Sequence, residues 1–227
     1  VKFDGISNNR DKEIADPQGY GCIEFAYYLM VRKAGIDMTP CRLHEEGGRA
    51  HFMTRRFDRT ASGGKRHMQS LGSIAHFDYN QPAAYSYEQA IDVIRRLRLP
   101  FPAIAAQVRR AIFNVVGRNQ DDHVKNIAFL MNRRGEWSLS PAFDVSFNWN
   151  PSGAWTGKHQ MSLRGKRDDF ESDDLLEFAL WAGVKKAAAK RMLDEVYDAV
   201  RAWPRFAEEA GVTADAIKRI AALHRLP

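Results

Sequence analysis

Three oxygen-bearing residues stand out in the middle of the chain. Asp121 and Asn126 lie five positions apart in Gly117-Arg-Asn-Gln-Asp121-Asp122-His123-Val-Lys125-Asn126, and Asp144 closes the run Ser140-Pro141-Ala-Phe143-Asp144. A carboxylate, an amide and a second carboxylate divide between two tasks. Phosphoryl transfer needs hard oxygen ligands for Mg²⁺, which Asn126 and Asp144 can supply together with nucleotide phosphates and water. It also needs a carboxylate that the metal does not absorb, to orient a hydroxyl and accept its proton, and Asp121 can take that part.

Taken singly, each residue has a plainer explanation. A loop Asp-Asp pair such as Asp121-Asp122 is more often a solvated turn or a helix cap, and a loop histidine such as His123 is usually polar surface. The combination carries more weight. An Asp five residues before an Asn is the spacing of a protein-kinase catalytic loop, and the metal-binding Asp of such enzymes follows a short hairpin, as Asp144 does here. A metal-dependent hydrolase using Asp121, Asp122 and His123 is a rival. The remaining histidines, at 44, 51, 67, 76, 159 and 224, are scattered singly and no HExxH occurs, so a defined cluster of ligands is not apparent.

The elements that must hold these residues are legible in the hydrophobic pattern. Pro102 to Val116 sets Ile104, Val108, Ile112 and Val115 on one helical stripe that ends at the Asp121 loop. Ile127 to Met131 reads as a strand, Asn132 to Gly135 as a turn and Trp137 to Leu139 as the returning strand. Upstream, Val1 to Phe3 reads as the end of a strand and Ser7 to Gly21 as a polar stretch. Cys22 to Lys33 is a helix with Ile23, Tyr27, Met30 and Val31 on one face and Gly35 just beyond. His51 to Met53 is a short strand after a turn at Glu45-Glu46-Gly47-Gly48, giving a hairpin, and Arg59 to Lys65 is a loop. Tyr87 to Leu97 is amphipathic, and three further helical patterns follow: Leu175 to Trp181, Ala187 to Val200 and Ala214 to Leu223. The expectation is an α+β fold of two lobes, with residues 1–58 the remnant of a small lobe and its hinge. Residues 59–227 form a larger, mostly α-helical lobe interrupted by one hairpin.

Composition sets the outer bounds. The 227 residues are 44% hydrophobic and 27% charged, ordinary for a globular protein. No apolar run approaches the roughly 20 residues of a membrane span. Val1-Lys2-Phe3-Asp4 resembles neither an initiating Met nor a leader, so a truncated or processed chain is expected. Cys22 and Cys41 form no CxxC pair, which fits a reducing compartment and a cytoplasmic protein. A net charge of +6 fits a basic surface or an acidic partner and decides nothing alone.

Asp121-x-His123-x-Lys125-Asn126, then a hairpin and Ser140-Pro141-x-Phe143-Asp144, resembles the signature of the HipA family of serine/threonine kinase toxins. Further stretches agree. Glu24 to Ile36 is similar to that family's acidic helix, Arg55-Arg56-Phe57-Asp58-Arg59 to its hinge, and His159 to Lys166 to the segment after its metal-binding Asp. The resemblance implies an ATP- and Mg²⁺-dependent protein kinase with Asp121 catalytic and Asn126 and Asp144 on the metal. Lys2 would hold ATP phosphates, paired with Glu24, and Arg55, Phe57, Gln69 and His123 would contribute to ATP binding. It implies a protein substrate, such as an aminoacyl-tRNA synthetase, a HipB-like antitoxin as partner, and DNA contact at most auxiliary through that antitoxin.

Two departures stand against the family pattern. Arg55 occupies the hinge position where the family has Glu, so a backbone contact to adenine survives and a side-chain contact does not. The family's Gly-rich loop and autophosphorylated serine belong upstream of Lys2, so this chain alone is expected to bind ATP weakly and to phosphorylate little. The competing classes are a small-molecule kinase of similar architecture, which differs only in the acceptor, and a non-catalytic partner of a DNA-bound antitoxin.

Overall fold

The computed structural model describes residues 1–5 and 19–227. Most of the polar stretch expected over Ser7 to Gly21 lies outside the described residues. Its end is corrected, because Tyr20 and Gly21 already belong to helix α1, Tyr20–Lys33. Asp4, not a residue of the helix, caps its start: the buried carboxylate accepts from Gly19 N at 2.9 Å and from Gly21 N at 3.4 Å. The predicted stripe faces inward, with Tyr27, Met30 and Val31 fully buried.

A hairpin follows, β1 (Cys41–Glu46) and β2 (Arg49–Thr54). The strands run closer to the tip than expected and the turn is Gly47-Gly48 alone, with φ of 57° and 74°. A two-residue turn with both φ positive matches the right-handed twist of the strands. Beyond β2 the chain start adds an antiparallel bridge, Lys2 N to Phe52 O at 2.8 Å and Phe52 N to Lys2 O at 3.1 Å. The hairpin lies against α1 so tightly that a Cβ on Gly21 would stand 2.2 Å from Ala50 O.

Strand β3 (His67–Ser70) and the short helix α2 (Leu71–Ala75) lead to α3 (Tyr87–Arg96), which begins with a Ser86–Gln89 capping box. Helix α4 (Phe101–Val116) buries Ile104, Val108, Ile112 and Val115, the four positions of the predicted stripe. Strands β4 (Ala128–Met131) and β5 (Trp137–Leu139) form the expected hairpin. It is not isolated: β3 pairs antiparallel with β4, His67 opposite Met131 and Ser70 opposite Ala128, so the sheet has the order β3-β4-β5.

Four helices complete the chain: α5 (Ser172–Trp181), α6 (Lys186–Arg201), α7 (Trp203–Glu209) and α8 (Ala214–Ala221). Three match the predicted patterns and α7 was not expected. Helix α1 packs on α7 and α6, while α4 packs on α3, α5 and α6. Their apolar faces meet in a core holding Trp203, Tyr87, Phe113 and Phe178. Among the described residues, no helix is long and apolar enough to cross a membrane.

Candidate functional site

The loop from Gly117 to Ile127 leaves the C-terminal end of α4 and enters β4, so a rigid helix and a central strand fix its two ends. Its polar residues are built into the protein. Asn119 and Gln120 are buried, and Asn119 pairs with Asn148 as a parallel bridge, through Gln120 N to Asn148 O and Asn148 N to Arg118 O, both 3.1 Å. The Asn148 amide also donates to Asn119 Oδ1 at 3.0 Å. The segment just after Asp144 is thereby fastened to the segment just before Asp121. Tyr20 ties α1 to the same point, its hydroxyl within 2.9 Å of Phe147 O and 2.5 Å of Asn148 Oδ1.

The two acids of the Asp-Asp pair have different surroundings. Asp121 is partly exposed, with His123 Nε2 3.7 Å from its carboxylate. Asp122 is 3% exposed. Its oxygens accept from the Tyr87 hydroxyl at 2.7 Å and Gln160 N at 2.7 Å, and His159 Nδ1 lies at 2.8 Å. A carboxylate engaged by three donors is a structural anchor and is poorly placed to take a substrate proton. The sequence-level metal cluster of Asp121, Asp122 and His123 fails for the same reason. Among the described residues, no group of three or more His, Cys, Asp and Glu is arranged to hold a metal ion.

Asn126 donates from Nδ2 to the Asp121 carbonyl at 2.8 Å, which fixes the amide and turns its Oδ1 away from that bond. Asn126 and Asp144 line one small cavity together with Gln107, Arg110, Asn114 and Asn119. Burial pulls the Arg110 guanidinium down to about 10, against the pull of Asp37. Within this lining Gln107 Oε1 and Arg110 Nε are buried without a hydrogen-bond partner among the described residues. Buried polar atoms of that kind are ordinarily satisfied by ordered water.

Asp144 adopts a left-handed backbone, φ 58°, a conformation that Asp tolerates better than most residues and that concentrates at functional sites. Its carboxylate contacts Lys2 Nζ, which also donates to Glu24 Oε1 at 2.7 Å. Glu24 is 1% exposed on the inner face of α1. Burial opposes the charge on Lys2, but Glu24 and Asp144 together outweigh it and hold the ammonium above its usual range. A carboxylate and an amide oxygen in one cavity suit Mg²⁺, which takes one or two protein oxygens plus phosphates and water. The contact of Asp144 with Lys2 marks that carboxylate as a place for positive charge.

The other sequence candidates are less closely joined. Phe57 approaches Phe143, the neighbour of Asp144, with ring centroids 5.4 Å apart. Gln69 sits on β3 opposite Phe129. The Arg55 side chain is exposed, and its backbone N–H is spent on Pro40 O at 3.0 Å. Beside them Asp58 gathers Arg56 and Arg59, and its carboxyl is held below its usual range by hydrogen bonds from Arg56, with Arg59 adding to the effect. Sequence reasoning missed Tyr20, Gln107, Arg110 and Asn148. Gln107 and Arg110 on the inner side of a helix otherwise striped with aliphatic residues were the available signal.

The family model for the HipA-like C-terminal domain matches residues 1–203. Among solved structures, the chain is similar to one described as the Shewanella oneidensis MR-1 toxin–antitoxin system HipA, HipB and its operator DNA complex. The TM-score is 0.71 at 17% identity, covering 89% of this chain and 53% of that one. It also resembles the Helicobacter pylori proinflammatory kinase CtkA, with a TM-score of 0.52 at 11% identity over 90% of this chain and 88% of that one. No curated protein matches. The chain thus spans about half the length of the HipA chain and shares its α+β fold. It belongs to the HipA-like C-terminal domain family.

Proposed function

We propose that this protein transfers the γ-phosphoryl group of ATP to a serine or threonine hydroxyl of a protein, as the toxin of a cytoplasmic toxin–antitoxin pair. In this reading residues 1–58 belong to a small lobe with its hinge and residues 59–227 to a large one. The observation that carries it is the junction at Asp144. A lysine bridged to β2 and paired with a helix glutamate meets a left-handed Asp, which shares a cavity with an Asn whose amide is fixed on the Asp121 carbonyl.

Each residue then has a task. Lys2, oriented by Glu24, binds the nucleotide phosphates, while Phe57 and Gln69 flank the base, with Arg55 contributing at most through its backbone. Asn126 and Asp144 would hold Mg²⁺, which would supply positive charge to offset that of the nucleotide phosphates. Asp121 orients the acceptor hydroxyl and takes its proton as the oxygen forms its bond to the γ-phosphorus and the bond to the bridging oxygen of ADP breaks. His123, with Nε2 3.7 Å from the Asp121 carboxylate, would add a contact to the nucleotide. Resemblance to the family suggests the protein substrate, an aminoacyl-tRNA synthetase among the candidates, and a HipB-like antitoxin as partner.

The test separates chemistry from binding. Asp121→Ala should lower transfer from labelled ATP by about 100-fold or more, with Mg-ATP affinity by calorimetry within a few-fold. Asp144→Asn, which keeps an Asx side chain at the left-handed position, should damage both. Wild-type turnover in Asp121→Ala would remove the base from the scheme. Transfer to sugars or lipids but to no protein, in an acceptor panel, would make this a small-molecule kinase.

A further inference from the structure

Beyond α8 the chain turns back to the start of the Asp121 loop. Arg225 N donates to Val116 O at 2.9 Å, and Arg118 Nε donates to Leu223 O at 2.9 Å. This segment lies past residue 203, outside the stretch that carries the family pattern. The Arg225 guanidinium is largely buried over the Phe170 ring, 5.4 Å from its centroid. Nη1 donates to Val115 O at 3.0 Å and lies 2.9 Å from His159 Nε2; Nη2 reaches Gln120 Oε1 at 3.3 Å and contacts Asp168.

These contacts determine how His159 is protonated. An arginine has no acceptor atoms, so His159 Nε2 must accept from Arg225 and the ring hydrogen resides on Nδ1. That hydrogen is directed at Asp122, 2.8 Å away in a fully buried pair. Arg225 therefore holds both sequence neighbours of Asp121: Gln120 directly, and Asp122 through the tautomer it imposes on His159.

We propose that Arg225 is a positioning residue for phosphoryl transfer, acting from the C-terminal segment by clamping Gln120 and Asp122 on either side of Asp121. The proposal rests on Asp121 being the base. In-line transfer is sensitive to small displacements of the groups that orient the reactants. Mg²⁺ and nucleotide contacts come from Lys2, Asn126 and Asp144, which Arg225 does not touch. Loss of the clamp should thus fall on kcat and spare nucleotide binding.

The experiment compares Arg225→Met, Arg225→Lys and a control, Arg219→Met on the exposed side of α8. Arg225→Met keeps the stem and removes every donor; it should lower kcat about 10- to 100-fold with KM for ATP within a few-fold. Arg225→Lys, which can still donate to His159 Nε2, should recover part of kcat. Nitrogen NMR of the histidines should show His159 as a single Nδ1–H tautomer in the unmodified protein and Arg225→Lys, and a mixture in Arg225→Met. Amide exchange over residues 118–122 should quicken in Arg225→Met alone. Unchanged kcat in Arg225→Met, or equal losses in kcat and ATP affinity alongside a lowered unfolding temperature in both Arg225 variants, would overturn the proposal. The kinetics are read on the protein extended upstream of Lys2, and if that protein phosphorylates no acceptor the kinase reading falls. The tautomer and exchange results then decide whether Arg225 clamps the loop.

Discussion

Acid should destabilise this protein through His224. The ring sits between Tyr27 and Trp203, its Nε2 3.0 Å from the Tyr27 hydroxyl, which itself donates to Gly117 O at 2.5 Å. The hydroxyl hydrogen being so committed, His224 Nε2 carries the hydrogen of that pair, and a second proton would have to enter at Nδ1. Burial, with the Arg118 charge adding to it, opposes that proton and lowers the histidine to about 4. The unfolded chain binds the proton as pH falls through about 6.5, whereas the folded protein does not until about 4. Stability is therefore lost between those values and levels off below them. Fully developed, the difference is worth about 3 kcal/mol, and the step from pH 7 to pH 5 accounts for about 2 kcal/mol of it. Urea unfolding at the two pH values should show that loss in the wild type. His224→Gln, whose amide can still donate to Tyr27, should lack it, while the titrating carboxylates act equally in both proteins. An identical loss in His224→Gln, or a His224 that titrates above pH 6 by NMR, would refute the reasoning.

Three further outcomes follow from the same structure. In Gly21→Ala the new methyl meets Ala50 O at 2.2 Å, so α1 and β2 must part; the cost should be about 1–3 kcal/mol by urea midpoint, with weakened ATP binding as Glu24 moves away from Lys2. At Asp144, φ 58° penalises a Cβ without a polar group, so Asp144→Ala should be less stable than Asp144→Gly by about 1 kcal/mol, although both lose a metal ligand. Lys2→Met takes the ammonium from buried Glu24; it should lower stability by about 1–3 kcal/mol and Mg-ATP affinity together, and a loss in neither would remove Lys2 from the site.

Where a segment declares itself by periodicity, the sequence was sufficient. The Ile104, Val108, Ile112, Val115 stripe became the inner face of α4, and alternation with a Gly-containing turn became β4 and β5. Strand β3 escaped because His-Met-Gln-Ser holds a single apolar residue, and it owes its existence to pairing with β4. Helix α7 escaped because Pro204 reads as a break, whereas in the first turn of a helix it costs nothing. Within the site, the Asp121, Asn126 and Asp144 spacing was visible because the three share one short stretch of chain. Asp122 looked like a spare acid until Tyr87, Gln160 and His159 were seen around it. Polar partners brought together by tertiary folding, such as Tyr20 with Asn148, leave no periodic trace in a single sequence.

Asn119 and Asn148 close a ring in the chain. Inside it lie Asp121, Asn126, the β4–β5 hairpin and Asp144, and the neck is sealed by two backbone bonds and an amide contact. Most of the pairings within the ring are local in sequence, so it resembles a cassette able to assemble early and open late. Lys2 enters from outside, on a segment joined to β2 by two backbone bonds at Phe52 and by the contacts of Asp4 with His51 and Arg49. Two parts of the fold therefore meet at the Lys2–Asp144 contact: the ring, which carries Asp121, Asn126 and Asp144, and the β1–β2 hairpin, to which the Lys2 segment is bonded. The segment leading into β1 is tied to the ring as well, Met38 bridging Ala142 and Ala142 N donating to Asp37 O at 2.7 Å, so a pull on the hairpin β1–β2 would reach the Asp144 segment by two routes.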